Sequence, residues 1–224
     1  MASLNIRLRA YNAKASSRRY GLWAALVNAW VLIASPAWAE QVNIIAIGDS
    51  LTAGYGLAQS ESFPAQLQAA LRAGGKKVKI INSGVSGDTS AGGRARLEWA
   101  LSLKPDAVIL ELGANDGLRG LDPRQTEANL GQMIADIQKQ ALPILLTGMR
   151  APPNLGQQYG TEFKNLFRRL AKKHRLLFYP FFLEGVAAVP ALNQADGIHP
   201  NAAGVREIVK RILPFVRELI GQVR

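Results

Sequence analysis

Two histidines, no cysteine and a few serines in glycine-rich clusters bound the chemistry available to this 224-residue chain. His174 sits in Lys172-Lys173-His174-Arg175, a basic stretch that reads as a solvated helix end. His199 sits in Asp196-Gly197-Ile198-His199-Pro200, three residues after a carboxylate that can fix its tautomer. An imidazole held in this way can serve as a general base. A base needs a nucleophile, and Ser50 in Gly48-Asp49-Ser50-Leu51-Thr52-Ala53-Gly54 is the candidate. Gly48 allows a sharp turn, and a serine that opens a helix lies at the positive end of its dipole. Alone, Ser50 would be an ordinary N-cap and Asp196-Gly197 an ordinary turn; only their joint occurrence points to nucleophilic acyl chemistry.

Such residues can meet only if strands deliver them to one place. Apolar, β-branched runs occur at 42–47 (VNIIAI), 78–82 (VKIIN), 107–112 (AVILEL) and 143–147 (PILLT), with a weaker run at 176–179 (LLFY). The first three are each followed by a polar, glycine-rich cluster: Gly48–Gly54, then Ser83-Gly84-Val85-Ser86-Gly87-Asp88-Thr89, then Gly113-Ala114-Asn115-Asp116-Gly117. Continuous rather than alternating apolar runs predict strands covered on both faces, as in a parallel sheet.

Between the strands lie helical stripes. They comprise Phe63, Leu67, Ala70 and Leu71, then Leu130, Ile134 and Ile137 behind an Asp122-Pro123 start, and Phe163, Leu166, Phe167 and Leu170. The last begins near Asn201 and carries Val205, Ile208, Val209, Ile212, Val216 and Leu219, and Pro214 is expected to kink or split it. This alternation predicts a three-layer α/β/α sandwich with a central parallel sheet of about five strands. Ligands of such sheets bind beyond the carboxyl ends of the strands, where the clusters would share a cleft.

The first 39 residues do not belong to that fold. Arg7, Arg9, Lys14, Arg18 and Arg19 precede an apolar run from about Tyr20 to Ala34, which leads into Ser35-Pro36-Ala37-Trp38-Ala39. A basic region, a short apolar region and an Ala-x-Ala site predict a signal peptide cut after Ala39. The apolar run is shorter than the ~20 residues a membrane span needs. Ser17-Arg18-Arg19-Tyr20-Gly21-Leu22 also resembles a twin-arginine signal, with Gly21 where phenylalanine is usual. Either route exports a domain of residues 40–224, to the periplasm or beyond.

Setting aside the five leader cations lowers the net charge from +11 to +6. The remaining cations are scattered and carry no interleaved aromatic residues, which argues against a nucleic-acid platform. Mild attraction to anionic lipid surfaces or acyl phosphates is the partner class this charge leaves open.

The blocks GDSLTAGYG, SGDTS, GAND and DGIHP resemble, in order and approximate spacing, the four signature blocks of the SGNH (GDSL) hydrolases. The stretch from Glu111 to Gly120 resembles the branch of bacterial periplasmic acyl-CoA thioesterases that are also arylesterases and lysophospholipases. The resemblance spans residues 42–220, departs where Ala114 replaces a common glycine, and implies a flavodoxin-like fold. Carried over by position, it implies Ser50 as nucleophile, His199 as base and Asp196 as its orienting acid. It also implies an oxyanion hole built from the Ser50 and Gly87 N–H groups and the Asn115 side chain. A glycine N–H and a neutral amide suit that task, since neither obstructs the oxyanion nor brings charge.

The implied substrates are acyl esters and thioesters, including aryl esters, acyl-CoA and lysophospholipids. No cofactor or metal is implied, because the acids fall on separate loops and only one histidine lies near the site. Leu118, Leu121, Met149 and Leu155, with Phe181-Phe182-Leu183, are candidates for an acyl-chain trough and equally for ordinary core. Asp49, Asp88 and Asp116 read as residues that hold loop geometry. Two alternatives stay open: a carbohydrate acetyl esterase, disfavoured because Trp99 is the one tryptophan after residue 39, and an inactive lipid- or glycan-binding module.

Overall fold

The structure, a computed structural model, describes residues 41–223, so the expected leader lies outside the described residues. Five parallel strands form one sheet: β1 (Val42–Gly48), β2 (Val78–Gly84), β3 (Ala107–Glu111), β4 (Ile144–Thr147) and β5 (Leu177–Tyr179), in the order β2-β1-β3-β4-β5. Ile44, Ile45 and Ile47 of β1, all of β3 and all of β4 are buried, as their apolar runs require. Edge strand β2 instead alternates, with Lys79 and Asn82 exposed, because it has a neighbour on one side only.

Among the described residues, eight α-helices connect and cover the strands: α1 (Ser50–Ala53), α2 (Phe63–Ala73), α3 (Ser90–Ala95), α4 (Leu97–Ser102), α5 (Ala114–Leu118), α6 (Pro123–Lys139), α7 (Gln157–His174) and α8 (Ala202–Gly221). Helix α2 packs on α8, and α6 packs on α7 and α3. Right-handed crossovers put these two groups on opposite faces, because the chain reverses its direction of travel across the sheet after β2. The result is the expected three-layer sandwich.

Local signals explain the helix ends. The Asp122 carboxylate accepts from Arg124 N–H at 2.9 Å ahead of Pro123, and Asn201 Oδ1 accepts from Ala203 and Gly204 N–H at 2.9 and 3.0 Å. Helix α8 runs unbroken through Pro214, so of the two effects expected there the split does not occur. Proline removes one backbone hydrogen bond there, while buried Ile212 and Val216 anchor the helix on either side. The short helices α3 and α4 have no counterpart among the periodic stripes of the sequence, being one to two turns long and rich in small residues.

The reversal lies between β1 and β3, so their carboxyl ends splay apart and open a crevice. Burial should govern stability around it. Truncating Ile109, fully buried at the centre of β3, to alanine is expected to lower the urea-denaturation free energy by about 2–5 kcal/mol. Trp99→Ala, at a residue 61% exposed on α4, is expected to change it by less than about 0.5 kcal/mol.

Candidate active site

The crevice receives its first side chain from the turn after β1. A Cβ at Gly48 would collide with the Thr52 hydroxyl and the Glu111 carboxylate, so only glycine lets the chain bend this closely over β3. Asp49 then caps α1, accepting from Leu51 N–H at 3.0 Å, and Ser50 is the first residue of the helix. That helix is one turn long and ends at Gly54 in the left-handed region (φ +84°), so its macrodipole is slight. What the turn supplies is an N–H: among the described residues, the Ser50 amide donates to no protein group.

His199 arrives from the loop before α8. Its Nε2 lies 2.9 Å from Ser50 Oγ, and its Nδ1 lies 2.6 Å from Asp196 Oδ2. The other Asp196 oxygen accepts from Ile198 and His199 N–H at 2.9 and 3.0 Å. The backbone N–H and ring of His199, followed by the Ile198 N–H, hold the Asp196 carboxyl down at about 2. An ionised carboxylate only accepts, so Nδ1 must carry the ring proton and Nε2 is left to accept from the serine hydroxyl. Sequence-distant Ser50, Asp196 and His199 thus form a continuous proton path.

The loop that carries the pair is tied to the loop that carries the serine. Gln194 Nε2 donates to Tyr55 O at 2.7 Å and to Pro200 O at 3.0 Å, and the Tyr55 ring leans on His199 with centroids 4.6 Å apart. Neither residue was singled out from the sequence, although Tyr55 falls within the GDSLTAGYG block.

Asn115 borders the same space, and through Asp88 O it is bonded to the loop that carries Gly87. Gly87 has φ +86°, a conformation that disfavours any side chain, and its N–H has no protein partner among the described residues. Asn115 Nδ2 donates to Asp88 O at 2.9 Å and approaches Asp49 Oδ2 at 3.3 Å. Arg96 clamps this region: Nε meets Asp88 Oδ2 at 2.6 Å, Nη1 donates to Ser83 O at 2.8 Å, and Nη2 donates to Gly48 O at 2.8 Å. Asp116, as expected of a loop-holding acid, accepts from Ser90 N–H at 2.8 Å and Thr126 Oγ1 at 3.0 Å.

A cleft of about 480 Å³ opens beside Ser50 and His199. Leu118, Met149, Phe181 and Leu183 line it, together with Ile198 and the Ala151–Pro153 segment. Leu121 and Leu155, two candidates for this trough, are not among its lining residues. The Leu121 carbonyl accepts from Tyr159 Oη at 2.7 Å, and the Leu155 side chain packs toward Gly120. Phe182 is also absent from the wall: it is fully buried, edge-on to Phe63. No cluster of three or more His, Cys, Asp or Glu side chains suited to a metal ion occurs among the described residues.

A parallel α/β sandwich whose crevice holds serine, imidazole and carboxylate in hydrogen-bonded series defines the protein's class as serine acyl hydrolase. The chain belongs to the GDSL-like lipase/acylhydrolase family, whose model matches residues 46–207. It is 39% identical to esterase TesA of Pseudomonas aeruginosa over 193 residues, which cover 86% of this chain and 95% of that protein. It is 41% identical to thioesterase 1/protease 1/lysophospholipase L1 of Escherichia coli K12 over 160 residues, 71% of this chain and 76% of that one. The crystal structure of AlinE4, an SGNH-hydrolase family esterase, superposes with a TM-score of 0.69 at 48% identity, covering 80% of this chain and 96% of its own.

One acid beneath the site was not singled out from the sequence, although a glutamate inside the apolar run AVILEL was the available signal. Glu111 is fully buried; Oε2 accepts from Thr52 Oγ1 at 2.6 Å and from Asp49 N–H at 3.3 Å, and Oε1 has no partner. Burial, then the charge of Asp49, pushes its carboxyl well above the ordinary value. Such a group keeps its proton in the fold at a pH where the unfolded chain releases it, so stability falls as pH rises from the unfolded value toward the folded one. Glu111→Gln has no proton to lose. Its stability relative to wild type is expected to rise as pH climbs above the ordinary carboxylate value, at up to about 1.4 kcal/mol per pH unit. Urea denaturation at each pH checks this; a pH-independent difference would mean that Glu111 ionises as it does in water.

Proposed function

We propose that the protein hydrolyses acyl esters and thioesters through an acyl-enzyme, with Ser50 as nucleophile, His199 as general base and acid, and Asp196 as its orienting carboxylate. The observation that carries this reading is the pair of contacts at His199, 2.9 Å to Ser50 Oγ and 2.6 Å to Asp196 Oδ2. As Ser50 Oγ attacks the carbonyl carbon, its proton passes to His199 Nε2 and the carbonyl π pair moves onto oxygen. The resulting oxyanion is received by the N–H groups of Ser50 and Gly87 and by Asn115 Nδ2. Collapse expels the alcohol or thiol, which takes the proton from His199. Water then repeats the sequence on the acyl-enzyme, releasing the carboxylic acid and restoring Ser50.

Aryl esters, acyl-CoA and lysophospholipids are the proposed substrates, as the names of the similar esterase and thioesterase/lysophospholipase suggest. The apolar wall of Leu118, Met149, Phe181, Leu183 and Ile198 favours an acyl chain over a sugar. The exposed Trp99 lies on α4 and is not part of the cleft, so it lends no support to carbohydrate recognition. Exposed apolar side chains at the mouth, Leu118 and Ile198, with Arg119 and Arg150 nearby, suit contact with an amphiphile. The leader pattern of residues 1–39 supports export of the domain.

Hydrolysis of p-nitrophenyl esters from acetyl to palmitoyl tests the reading. Activity is expected to peak beyond acetyl and to fall by about 10⁴-fold or more in Ser50→Ala. Labelling by an activated phosphonate should reach one equivalent and vanish in that variant. Activity confined to acetyl would redirect the assignment to deacetylation, and a fully active Ser50→Ala would remove Ser50 from the mechanism. Mass spectrometry of the exported protein should show Glu40 as its first residue.

A further inference from the structure

A carboxamide presents a donor end and an acceptor end of nearly the same shape. Asn115 can stabilise an oxyanion only if its nitrogen faces the hole, since its oxygen would repel the developing charge. Two acceptors meet that nitrogen: the carbonyl of Asp88 at 2.9 Å and the Asp49 carboxylate at 3.3 Å. The Asp88 bond is the anchor. The Asp49 contact is at the long end of hydrogen bonding, so the proton facing it is the weakly held one that an arriving oxyanion can share. Asp49 itself cannot swing away, being fully buried with its other oxygen held by Leu51 N–H at 3.0 Å.

We propose that Asp49 is a positioning residue for acyl transfer, its buried carboxylate holding the Asn115 amide with the nitrogen toward the oxyanion hole. The inference rests on the role of Asn115 given under the proposed function. It assigns Asp49 a task beyond capping α1, and it gives a reason for an acid rather than a neutral capping residue at this buried position. Burial holds the Asp49 carboxyl up at about 6, and the Leu51 N–H, then His199 and the Asn115 amide, work against that rise. A group that serves as an acceptor needs that help to remain ionised.

Asp49→Asn separates the two tasks. Asparagine caps a helix as well as aspartate does, but its own NH₂ can face Asn115 and permit the inverted amide. Steady-state kinetics on p-nitrophenyl butyrate would compare wild type, Asp49→Asn, Asn115→Ala and the double variant, with urea denaturation alongside. Asn115→Ala is expected to lose about 10²–10³-fold in kcat. Asp49→Asn should lose at least about 10-fold in kcat with little change in KM and no loss of stability, and the double variant should match Asn115→Ala within about 3-fold. Asp49→Ser, which keeps a capping oxygen but is too short to meet Asn115, should show the same non-additivity and serves if Asp49→Asn does not fold.

Multiplying defects in the double variant, or kcat within about 2-fold of wild type in Asp49→Asn, would overturn the inference. A fully active Asn115→Ala would instead remove the oxyanion role itself and the inference with it.

Discussion

Glu111 reaches from the end of β3 beneath the turn that leaves β1, where its Oε2 takes the Thr52 hydroxyl and the Asp49 N–H. This contact joins the two strands whose carboxyl ends open the crevice, and the rest of the site is hung from it. The serine turn bends over β3 only because Gly48 leaves room for that carboxyl group. Asp49 and Ser50 follow at once, while Asn115 stands four residues beyond Glu111, in the first turn of α5 after β3. A buried acid with one unpartnered oxygen costs stability. Its place at the site rather than elsewhere in the core fits the general rule that local rules of good packing are relaxed where chemistry is done.

A second set of contacts holds the loops on either side. Arg96 ties the ends of β1 and β2 to Asp88, whose carbonyl anchors Asn115. Gln194 ties the His199 loop to Tyr55 in the serine loop. Neither side chain touches the proton path, yet each limits how far a donor or the imidazole can drift. Catalytic geometry tolerates little drift, which gives these ties functional weight.

Much of this was legible in the sequence because the signals are local and physical. Unbroken apolar runs in β1, β3 and β4 marked interior strands, and Asp122-Pro123 and Asn201 marked helix starts through chemistry that any helix end requires. Ser50, Asp196 and His199 could be named because their side chains suit one another and because four ordered motifs surround them. What escaped notice depends on tertiary neighbours. Strand order came from which ends meet, and the edge position of β2 from what does not cover it. Arg96 and Gln194 matter for whom they touch across the fold, which spacing does not encode. Leu121 and Leu155 were candidates for the cleft because their loops were expected to flank it, and neither is among its lining residues. Glu111 was the exception, since a charge inside a buried run signals its own oddity.

Asp196 and His199 lie three residues apart in a single loop, joined by both ring and backbone hydrogen bonds. Acid and base therefore travel as one rigid body, and Ser50 belongs to another, built on the sheet. The relay has a single adjustable joint, the 2.9 Å gap between Nε2 and Oγ. A substrate that pushes the loop outward lengthens that gap without disturbing the tautomer, so the imidazole stays primed while contact with the hydroxyl is broken. Competence in this architecture reduces to one mechanical coordinate, and the tie from Gln194 to Tyr55 is the spring that sets its rest position.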